Sequence, residues 1–211
     1  MYVVIVDYGS GNLKSVFRAV DLAAKDRSKL KIKVSSSPLD ILEADKIILP
    51  GQGSYKNCID TILSKNGLME SLNNFVLNKK KPILGICVGM QLFSKEGFEA
   101  EKTKGFGWIN AYVTKIPLNI KNLKLPHVGW NNIKIIKKKK LLRDLRDNCH
   151  FYFVHSYEFV TTEDEIVLAK VDYGKEIIVC IEKENIFGCQ FHPEKSQVDG
   201  IKLISNFLKS D

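Results

Sequence analysis

The first half of the chain alternates short apolar runs with stretches of helical periodicity, and this alternation constrains the fold more than any other feature. Four runs of strand length lie at residues 2–6, 30–34, 46–49 and 83–86, of which the second alternates apolar side chains with lysines. After the first run, apolar side chains recur at helical spacing at Leu13, Val16, Phe17, Val20 and Ala24. Further helices are predicted at about 55–64 and 68–78. Strands that alternate with helices form a mostly parallel sheet covered on both faces, so the sequence predicts an α/β fold.

Cys87 lies at the turn between the fourth apolar run and the helix expected after it. Gly85 and Gly89 flank it in a Gly-x-Cys-x-Gly pentapeptide. This is the nucleophile-elbow pattern, in which the glycines let strand and helix pack closely and leave the nucleophile exposed. A helix N-terminus favours the thiolate, and the Val88 amide there is an unpaired donor for an oxyanion. The alternative is a buried, inert apolar thiol at a tight turn.

A base for this thiol is present near the C-terminus, in the tripeptide His192-Pro193-Glu194. Proline fixes its own φ and favours extended geometry at His192, so the imidazole and the Glu194 carboxylate can project towards one region. Cys87, His192 and Glu194 would then supply the attacking group, the base and the group that orients the base. Alone, the tripeptide is more typical of a surface turn. Together with the elbow, it predicts a catalytic triad.

Two further loops follow apolar runs and are expected near Cys87. The segment Gly51-Gln52-Gly53 comes after the third run, and its glycines leave the backbone free to aim amides inward. Asn12 comes after the first run. Because the carboxyl ends of parallel strands meet at one edge of a sheet, these loops and Cys87 should lie close together. The alternative for each loop is an ordinary turn.

From about residue 105 onward, the pattern changes to short β-rich runs that predict an extra, partly antiparallel layer. These runs lie at 108–116, 133–136, 151–154, 166–171 and 177–181. A final amphipathic helix is predicted to close the core with Val198, Ile201, Ile204, Phe207 and Leu208. The chain has 211 residues, 45% of them hydrophobic, and shows no linker or internal repeat. A single domain over residues 1–211 is therefore expected.

Charge and cysteine content limit the classes of function. A net charge of +8 would suit nucleic acid, but the lysine runs at 79–81 and 137–140 lack interleaved aromatic residues and are interpreted as solvated surface. The five cysteines form no Cys-x-x-Cys pair, so neither a disulfide framework nor a metal site is expected. The chain begins directly with a strand and has no apolar run of membrane-spanning length. A cytoplasmic protein without membrane contact is expected.

These motifs resemble those of the class I (triad-type) glutamine amidotransferases over nearly the whole chain, and within that family they are similar to the glutaminase subunits of imidazole glycerol phosphate synthases. The wider family shares the elbow and His192-Pro193-Glu194. The narrower resemblance rests on Asp7-Tyr8-Gly9-Ser10-Gly11-Asn12-Leu13, Leu49-Pro50-Gly51-Gln52-Gly53, Pro126-His127-Val128-Gly129-Trp130-Asn131, His155-Ser156-Tyr157 and Lys195-Ser196-Gln197. The resemblance implies an α/β three-layer sandwich with a mostly parallel central sheet and a small antiparallel extension.

The resemblance also implies roles for individual residues. The residues implied to bind glutamine are Gly51, Gln91, His155, Ser156 and Tyr157. The backbone amides implied to stabilise the oxyanion are those of Val88 and of Gln52 or Gly53. The residues implied to contact a partner or to gate activity are Asn12, Pro126, His127, Trp130, Asn131 and Lys195.

The implied activity is hydrolysis of glutamine through a thioester on Cys87, with no cofactor. Free ammonia would be protonated in bulk water, so a sealed route to a docked synthase is expected. The implied partner is a (β/α)8-barrel cyclase that forms a heterodimer with this chain in histidine biosynthesis. Two alternatives stay open. The family commonly has a Gly-Leu-Gly-Leu-Ile-Pro-Gly-like stretch where this chain has Gly105-Phe106-Gly107-Trp108-Ile109-Asn110-Ala111, which fits a paralogue that supplies a sugar-modifying amidotransferase. The other is a non-catalytic docking subunit, against which the intact triad residues argue.

Hydrolysis of glutamine without an acceptor wastes it, so a resting state is expected. The glycines beside Gln52 would let its amide rest turned away from the oxyanion site. Lys195 directly follows Glu194, so pairing of Lys195 with a carboxylate on the partner could transmit docking to the triad. The alternative for Lys195 is a solvated surface lysine.

Overall fold

The computed structural model of the protein describes residues 1–24, 29–117 and 123–210. Numbered in chain order, its strands are β1 (Tyr2–Val6), β2 (Lys31–Ser35), β3 (Lys46–Gly51), β4 (Ile83–Cys87), β5 (Glu96–Glu99), β6 (Glu101–Lys104), β7 (Ala111–Lys115), β8 (His127–Ile135), β9 (His150–His155), β10 (Tyr157–Thr161), β11 (Val167–Asp172), β12 (Glu176–Lys183) and β13 (Ile186–Cys189). Its α-helices are α1 (Leu13–Ala23), α2 (Pro38–Glu43), α3 (Tyr55–Ser64), α4 (Leu68–Asn73), α5 (Val88–Gln91) and α6 (Gln197–Lys209).

The main sheet of the described residues has nine strands in the order β2-β1-β3-β4-β13-β12-β11-β8-β9. The strands from β2 to β13 pair in parallel, and every pairing beyond β13 is antiparallel. The predicted α/β class with a parallel centre is therefore confirmed, and the antiparallel extension, which was expected to be small, accounts for half of the strand pairings in this sheet. The extension comprises β12, β11, β8 and β9, and a second sheet has the order β10-β7-β5-β6.

Helices cover both faces of the parallel centre. α1 packs with α6, whereas α2 and α3 pack with α4, which gives two helical layers around the sheet. Every residue of β3 and β4 is buried. Continuous burial of this kind is typical of parallel strands with both faces covered, and it explains why these strands are continuous apolar runs in the sequence.

The carboxyl ends of the central strands meet at the edge where function was predicted. Gly51 at the end of β3 lies beside Cys87 at the end of β4. On the other side of β4, Cys189 of β13 lies beside Ile86. The chain therefore leaves β3 towards the 51–53 loop and leaves β13 towards His192 on opposite sides of Cys87.

Two of the predicted helices, the one at 68–78 and the last one in the chain, differ in detail from the prediction. The predicted helix at 68–78 begins as α4 and ends as the π-helical segment Asn74–Asn78. In α6, Val198 is 80% exposed, so its predicted place in the core is wrong. Gly200 packs on the Pro193 carbonyl, and a residue two positions away points about 200° around the helix, away from that contact. None of the helices in the described ranges has the length and apolarity needed to cross a membrane.

Candidate active site

The elbow at Cys87 has the tight geometry that the two glycines predicted. Cys87 has φ 55° and ψ −115°, a positive φ that is rare for a residue with a side chain. A Cβ on Gly85 would lie 2.7 Å from the Gly89 carbonyl oxygen, so only glycine allows strand and helix to approach this closely. Strain of this kind persists where the surrounding structure holds it, and here β3 and β13 hold β4 from both sides.

Two expectations about Cys87 are corrected by the structure. The residue is only 4% exposed, so it does not project into the open as the elbow pattern predicted. The sheet continues on both sides of β4, and the side chain of Gln190, directly after β13, contacts the Cys87 sulfur. The helix that follows, α5, has a single turn, because the chain leaves it after Gln91. A helix this short contributes little dipole at the sulfur, so the expected effect of the helix N-terminus on Cys87 is small.

His192 and Glu194 form the pair of base and orienting carboxylate that the tripeptide predicted. His192 Nδ1 lies 2.8 Å from Glu194 Oε1, and the two side chains are 7% and 2% exposed. Because the carboxylate oxygen accepts, Nδ1 carries the proton that it donates. The backbone of His192 is fixed as well, since its amide donates to the Tyr152 carbonyl and Ser196 Oγ donates to its carbonyl.

The other imidazole nitrogen, His192 Nε2, is buried without a hydrogen-bond partner among the described residues. Burial by itself lowers the pKa of His192, but the neighbouring Cys87 sulfur and the Glu194 carboxylate outweigh it and raise the pKa to about 10. His192 is therefore protonated near neutral pH. An imidazolium beside a thiol sulfur favours the thiolate and holds a proton ready for a leaving group.

Cys87 and His192 face a small cavity of about 230 Å³. Its lining includes most of the predicted site residues, namely Gln52, Gly53, Cys87, Val88, Gln91, Pro126, His155, Ser156, Tyr157 and His192. Gly51 and Glu194 lie behind this lining rather than in it. The cavity is below the range of drug-sized ligand sites, which suits a single amino acid.

Glu99 also lines the cavity, and sequence reasoning missed it. It ends the short strand β5, and its Oε2 accepts a hydrogen bond of 2.7 Å from the Tyr55 amide. The chain reaches it through a connection that carries no recognisable motif. The one signal in the sequence is a carboxylate a few residues beyond the elbow helix, which is too common to be informative.

The 51–53 loop is held by two residues that the sequence did not identify as part of the site. The Gln52 amide donates to Ser10 Oγ at 3.0 Å, and the Gln52 carbonyl accepts from Ser10 Oγ and from Cys58 Sγ. In this conformation the Gln52 amide is engaged by Ser10 and is not free to donate to an oxyanion. Ser10 lies in the Gly9-Ser10-Gly11 turn, so a hydroxyl between two glycines was the available signal.

His127 and His155 form a buried pair with one possible arrangement of protons. His155 Nδ1 lies 2.9 Å from the Tyr157 carbonyl, which can only accept, so Nδ1 is protonated. Its Nε2 then accepts from His127 Nδ1 at 3.1 Å, and His127 Nε2 accepts from Asn131 Nδ2 at 3.3 Å. Burial lowers the pKa of both imidazoles to about 4, so both are neutral near pH 7.

This pair corrects part of the predicted partner surface. His127 is 3% exposed, and the Asn131 side chain bonds to His127 and to the Asp172 carbonyl. Side chains alternate along β8, so these two residues face the interior, whereas Val128 and Trp130 face outward. Asn12, which was also expected at the partner surface, is exposed, and its side chain caps α1 at the Ser15 amide.

The outward side of β8 and β9 carries an exposed apolar surface next to the cavity. Val128, Trp130 and Val154 are 55%, 48% and 37% exposed. Trp130 packs edge-on against Tyr152, and Lys195 Nζ lies 5.6 Å from the Tyr152 ring centroid. We call these five residues the docking patch. Isolated apolar residues on a surface are ordinary, whereas those of the patch adjoin one another across the paired strands β8 and β9.

Comparison with known proteins gives a consistent set of matches. The family model described as "Glutamine amidotransferase class-I" matches residues 4–210. The chain is 50% identical over 208 residues to the imidazole glycerol phosphate synthase subunit HisH of Pelagibacter ubique, covering 99% of both chains. It is 41% identical to the protein of the same name from Cereibacter sphaeroides, covering 99% of this chain and 98% of the relative.

Solved structures match the fold. A crystal structure described as a glutamine amidotransferase matches with a TM-score of 0.73 at 17% identity, covering 98% of this chain and 97% of that one. A glutamine amidotransferase from Thermotoga maritima matches with a TM-score of 0.65 at 17% identity, covering 99% and 96%. At these identities the likeness concerns the arrangement of strands and helices.

Proposed function

The chain belongs to the class-I glutamine amidotransferase family, and on that premise we propose that it is the glutaminase subunit of an imidazole glycerol phosphate synthase. The observation that carries this function at the site is the buried Cys87 elbow facing the same cavity as the His192–Glu194 pair. The relatives that are 50% and 41% identical over nearly their whole length bear the name of that subunit. The unit that performs the function is a single domain over residues 1–211, since one sheet runs continuously from β2 to β9.

Glutamine enters the cavity with its side-chain carboxamide at Cys87. The sulfur attacks the carboxamide carbon, and the carbonyl oxygen becomes an oxyanion at the Val88 amide, which opens α5 and has no carbonyl one turn before it to bond. The tetrahedral intermediate expels the nitrogen as ammonia, which takes a proton from His192 Nε2. A γ-glutamyl thioester remains on Cys87.

Hydrolysis of the thioester restores the site. Water loses a proton to His192 Nε2 and attacks the thioester carbon, the C–S bond breaks, and glutamate leaves while the thiolate and imidazolium return. Glu194 holds Nδ1 throughout at 2.8 Å, so Nε2 keeps facing the reacting atoms. The sum is glutamine plus water to glutamate, ammonia and one proton, which the new carboxyl group releases to solvent, and no step needs a metal or an organic cofactor.

The polar groups at the far end of the cavity suit the α-amino and α-carboxylate groups of glutamine. Glu99 places a carboxylate in the lining, and Gln91 lies there with its amide nitrogen already bonded to the protein. These two acceptors suit the α-ammonium group. Ser156 and Tyr157, on the adjoining segment, suit the α-carboxylate.

The partner is a (β/α)8-barrel cyclase that receives ammonia through a sealed route. The docking patch supports this, because it combines exposed aromatic area with a cation, borders the cavity, and includes the residue that follows Glu194 in the chain. The assembly works in the cytoplasm, where the five free cysteines of this chain stay reduced.

The segment that departs from the family pattern gives no reason to favour another acceptor. Trp108 packs on Phe93 and Phe106, and its indole N–H donates to Asn73. A side chain on Gly105 would collide with the Ser94 carbonyl. The departure therefore lies in packing between α4 and the second sheet, outside the cavity lining.

The partner proposal is tested by measuring glutamate release from the chain alone, with the cyclase, and with the cyclase and its substrate. We expect the chain alone to be nearly inactive and the loaded complex to be faster by orders of magnitude. Lys195→Ala should reduce that stimulation without changing the unstimulated rate. Lys56→Ala, at an exposed lysine on α3, is the control. Full activity of the lone chain, or full stimulation of Lys195→Ala, would show that the patch does not control the site.

A further inference from the structure

Gln190 is a fully buried polar side chain beside the triad to which no role has been assigned. It directly follows β13, is 0% exposed, and lies two residues before His192. Its amide N–H donates to the Val179 carbonyl at 2.9 Å, which fixes the backbone. Its side-chain Nε2 lies 3.6 Å from Cys87 Sγ, within hydrogen-bond distance for sulfur. A buried amide in contact with the attacking atom needs a chemical explanation.

The orientation of the Gln190 amide is fixed by a chain of hydrogen bonds that has one direction. The Tyr157 carbonyl can only accept, so the Gln91 group that lies 3.3 Å from it is the NH2 group. The same nitrogen lies 2.9 Å from the facing atom of Gln190, which must therefore be the carbonyl oxygen. The NH2 group of Gln190 is then the one that faces the sulfur.

This arrangement suits a thiolate better than a thiol. A buried thiolate has lost its hydration, and a donor aimed at the sulfur lowers the free energy of the charged form more than that of the neutral form. The single turn of α5 contributes little dipole, and Glu194 lies behind His192. We propose that Gln190 is a catalytic residue that stabilises the Cys87 thiolate by donating a hydrogen bond to its sulfur, with Gln91 holding the donor in place.

The proposal rests on the proposed glutaminase function and deepens it. Gln91 lines the cavity where the α-amino group of glutamine is expected, and the same side chain orients Gln190. Recognition of the amino acid and activation of the nucleophile therefore share one hydrogen-bonded pair of amides. A purely structural role would require only that Gln190 accept from Gln91, and would leave the reactivity of the sulfur unchanged.

The test is the rate at which iodoacetamide alkylates Cys87 in the full chain, read by mass spectrometry of the Cys87 peptide, with Cys87→Ala as the blank. Gln190→Met keeps the volume and removes the donor. We expect alkylation at pH 7 to slow about tenfold or more, because hydrogen bonds to charged groups are among the stronger ones. The pH at which alkylation is half-maximal should rise. In the glutaminase assay of the complex with the cyclase and its substrate, kcat should fall with KM changed less than about threefold.

Asn206→Leu is the matched control, since Asn206 is also a 0% exposed amide but bonds to the Leu141 carbonyl. It should leave the alkylation rate unchanged. An unchanged rate in folded Gln190→Met would overturn the proposal.

If Gln190→Met does not fold, the test is an NMR measurement on wild-type protein labelled with 15N-glutamine. The side-chain NH2 resonance of Gln190 should shift when Cys87 is alkylated. An unshifted resonance would refute the hydrogen bond. A wild-type chain that is alkylated at Cys87 but releases no glutamate even in the complex with the cyclase and its substrate would instead refute the proposed function.

Discussion

The two sides of the catalytic cavity differ in how ready they are for reaction. On the β13 side, His192 and Glu194 are paired at 2.8 Å and buried, with the backbone of His192 held at both ends. On the β3 side, the Gln52 amide that should stabilise an oxyanion donates to Ser10 instead. Nucleophile and base are assembled in advance, whereas one oxyanion donor is engaged elsewhere. A site of this kind can bind glutamine and stay inactive until the Gln52 amide is released from Ser10.

The largest effect is expected from a substitution that removes the nucleophile. Cys87→Ala should abolish glutamine hydrolysis, because no other group in the cavity can form the thioester. The complex should still use added ammonium salt, since the variant leaves the docking patch intact. Ammonium-dependent and glutamine-dependent synthesis, measured side by side in the complex, check this. Glutamine hydrolysis by Cys87→Ala would refute the site assignment.

The next effect separates the base from the group that orients it. His192→Ala should be comparable to Cys87→Ala, whereas Glu194→Gln should lose about tenfold to hundredfold less, because an orienting group contributes less than the base it holds. Initial rates of glutamate release in the stimulated complex give the ranking. Near-wild-type rates in both variants would mean that this side is not catalytic.

A smaller and opposite effect is expected on the β3 side. Ser10→Ala removes the acceptor of the Gln52 amide and should raise the unstimulated glutaminase rate of the lone chain by a few fold, up to about tenfold, in line with one neutral hydrogen bond. Cys58→Ala, which removes the longer contact to the Gln52 carbonyl, should change this rate less. A lower rate in Ser10→Ala would show that Ser10 supports the active conformation, and the contrast between the two sides would fail.

The smallest effect is on stability. The pKa of His127 and His155 is lowered to about 4 in the fold from the ordinary 6.5. As pH falls below 6.5, the unfolded chain takes up protons before the folded one, so the stability that this pair contributes is complete above pH 6.5 and is lost towards pH 4. The pKa of His192 is raised, so its contribution to stability depends on pH in the opposite direction. That contribution is lost as pH rises from 6.5 to about 10.

Thermal unfolding at pH 7.5 and pH 5 measures this difference. Tm should fall by several degrees on acidification of wild type, and by less in His127→Phe, which keeps the stacking on Phe153 and Tyr173 without a titrating group. His150→Gln, at an exposed histidine, should behave as wild type. Equal losses in wild type and His127→Phe would assign the acid sensitivity to other groups.

The sequence predicted what depends on local pattern. Alternating strands and helices gave the parallel centre, and the glycines around Cys87 and the proline after His192 gave the elbow and the base pair. The burial of Cys87 could not be predicted, because it depends on strands more than 60 residues later in the chain. Ser10 and Gln190 were missed for the same reason, since their contacts join residues 42 and 103 positions apart.

The orientation of β8 was predictable in principle. A strand with one face against the protein alternates its side chains, so Val128 and Trp130 cannot point the same way as His127 and Asn131. The resemblance instead implied a partner or gating role for His127, Trp130 and Asn131 alike. Val128 and Trp130, a branched and an aromatic residue two positions apart, were the signal that only half of the motif faces outward.

That alternation has a consequence for how such a subunit can be re-engineered. Along β8 and β9, substitutions at the outward positions Val128, Trp130 and Val154 should alter which surface can bind there. The inward residues His127 and His155 instead support the wall of the cavity. A period of two residues thus separates the proposed partner surface from the cavity side within a single pair of strands. A library randomised only at the outward positions should yield chains that bind a different synthase and still recognise glutamine.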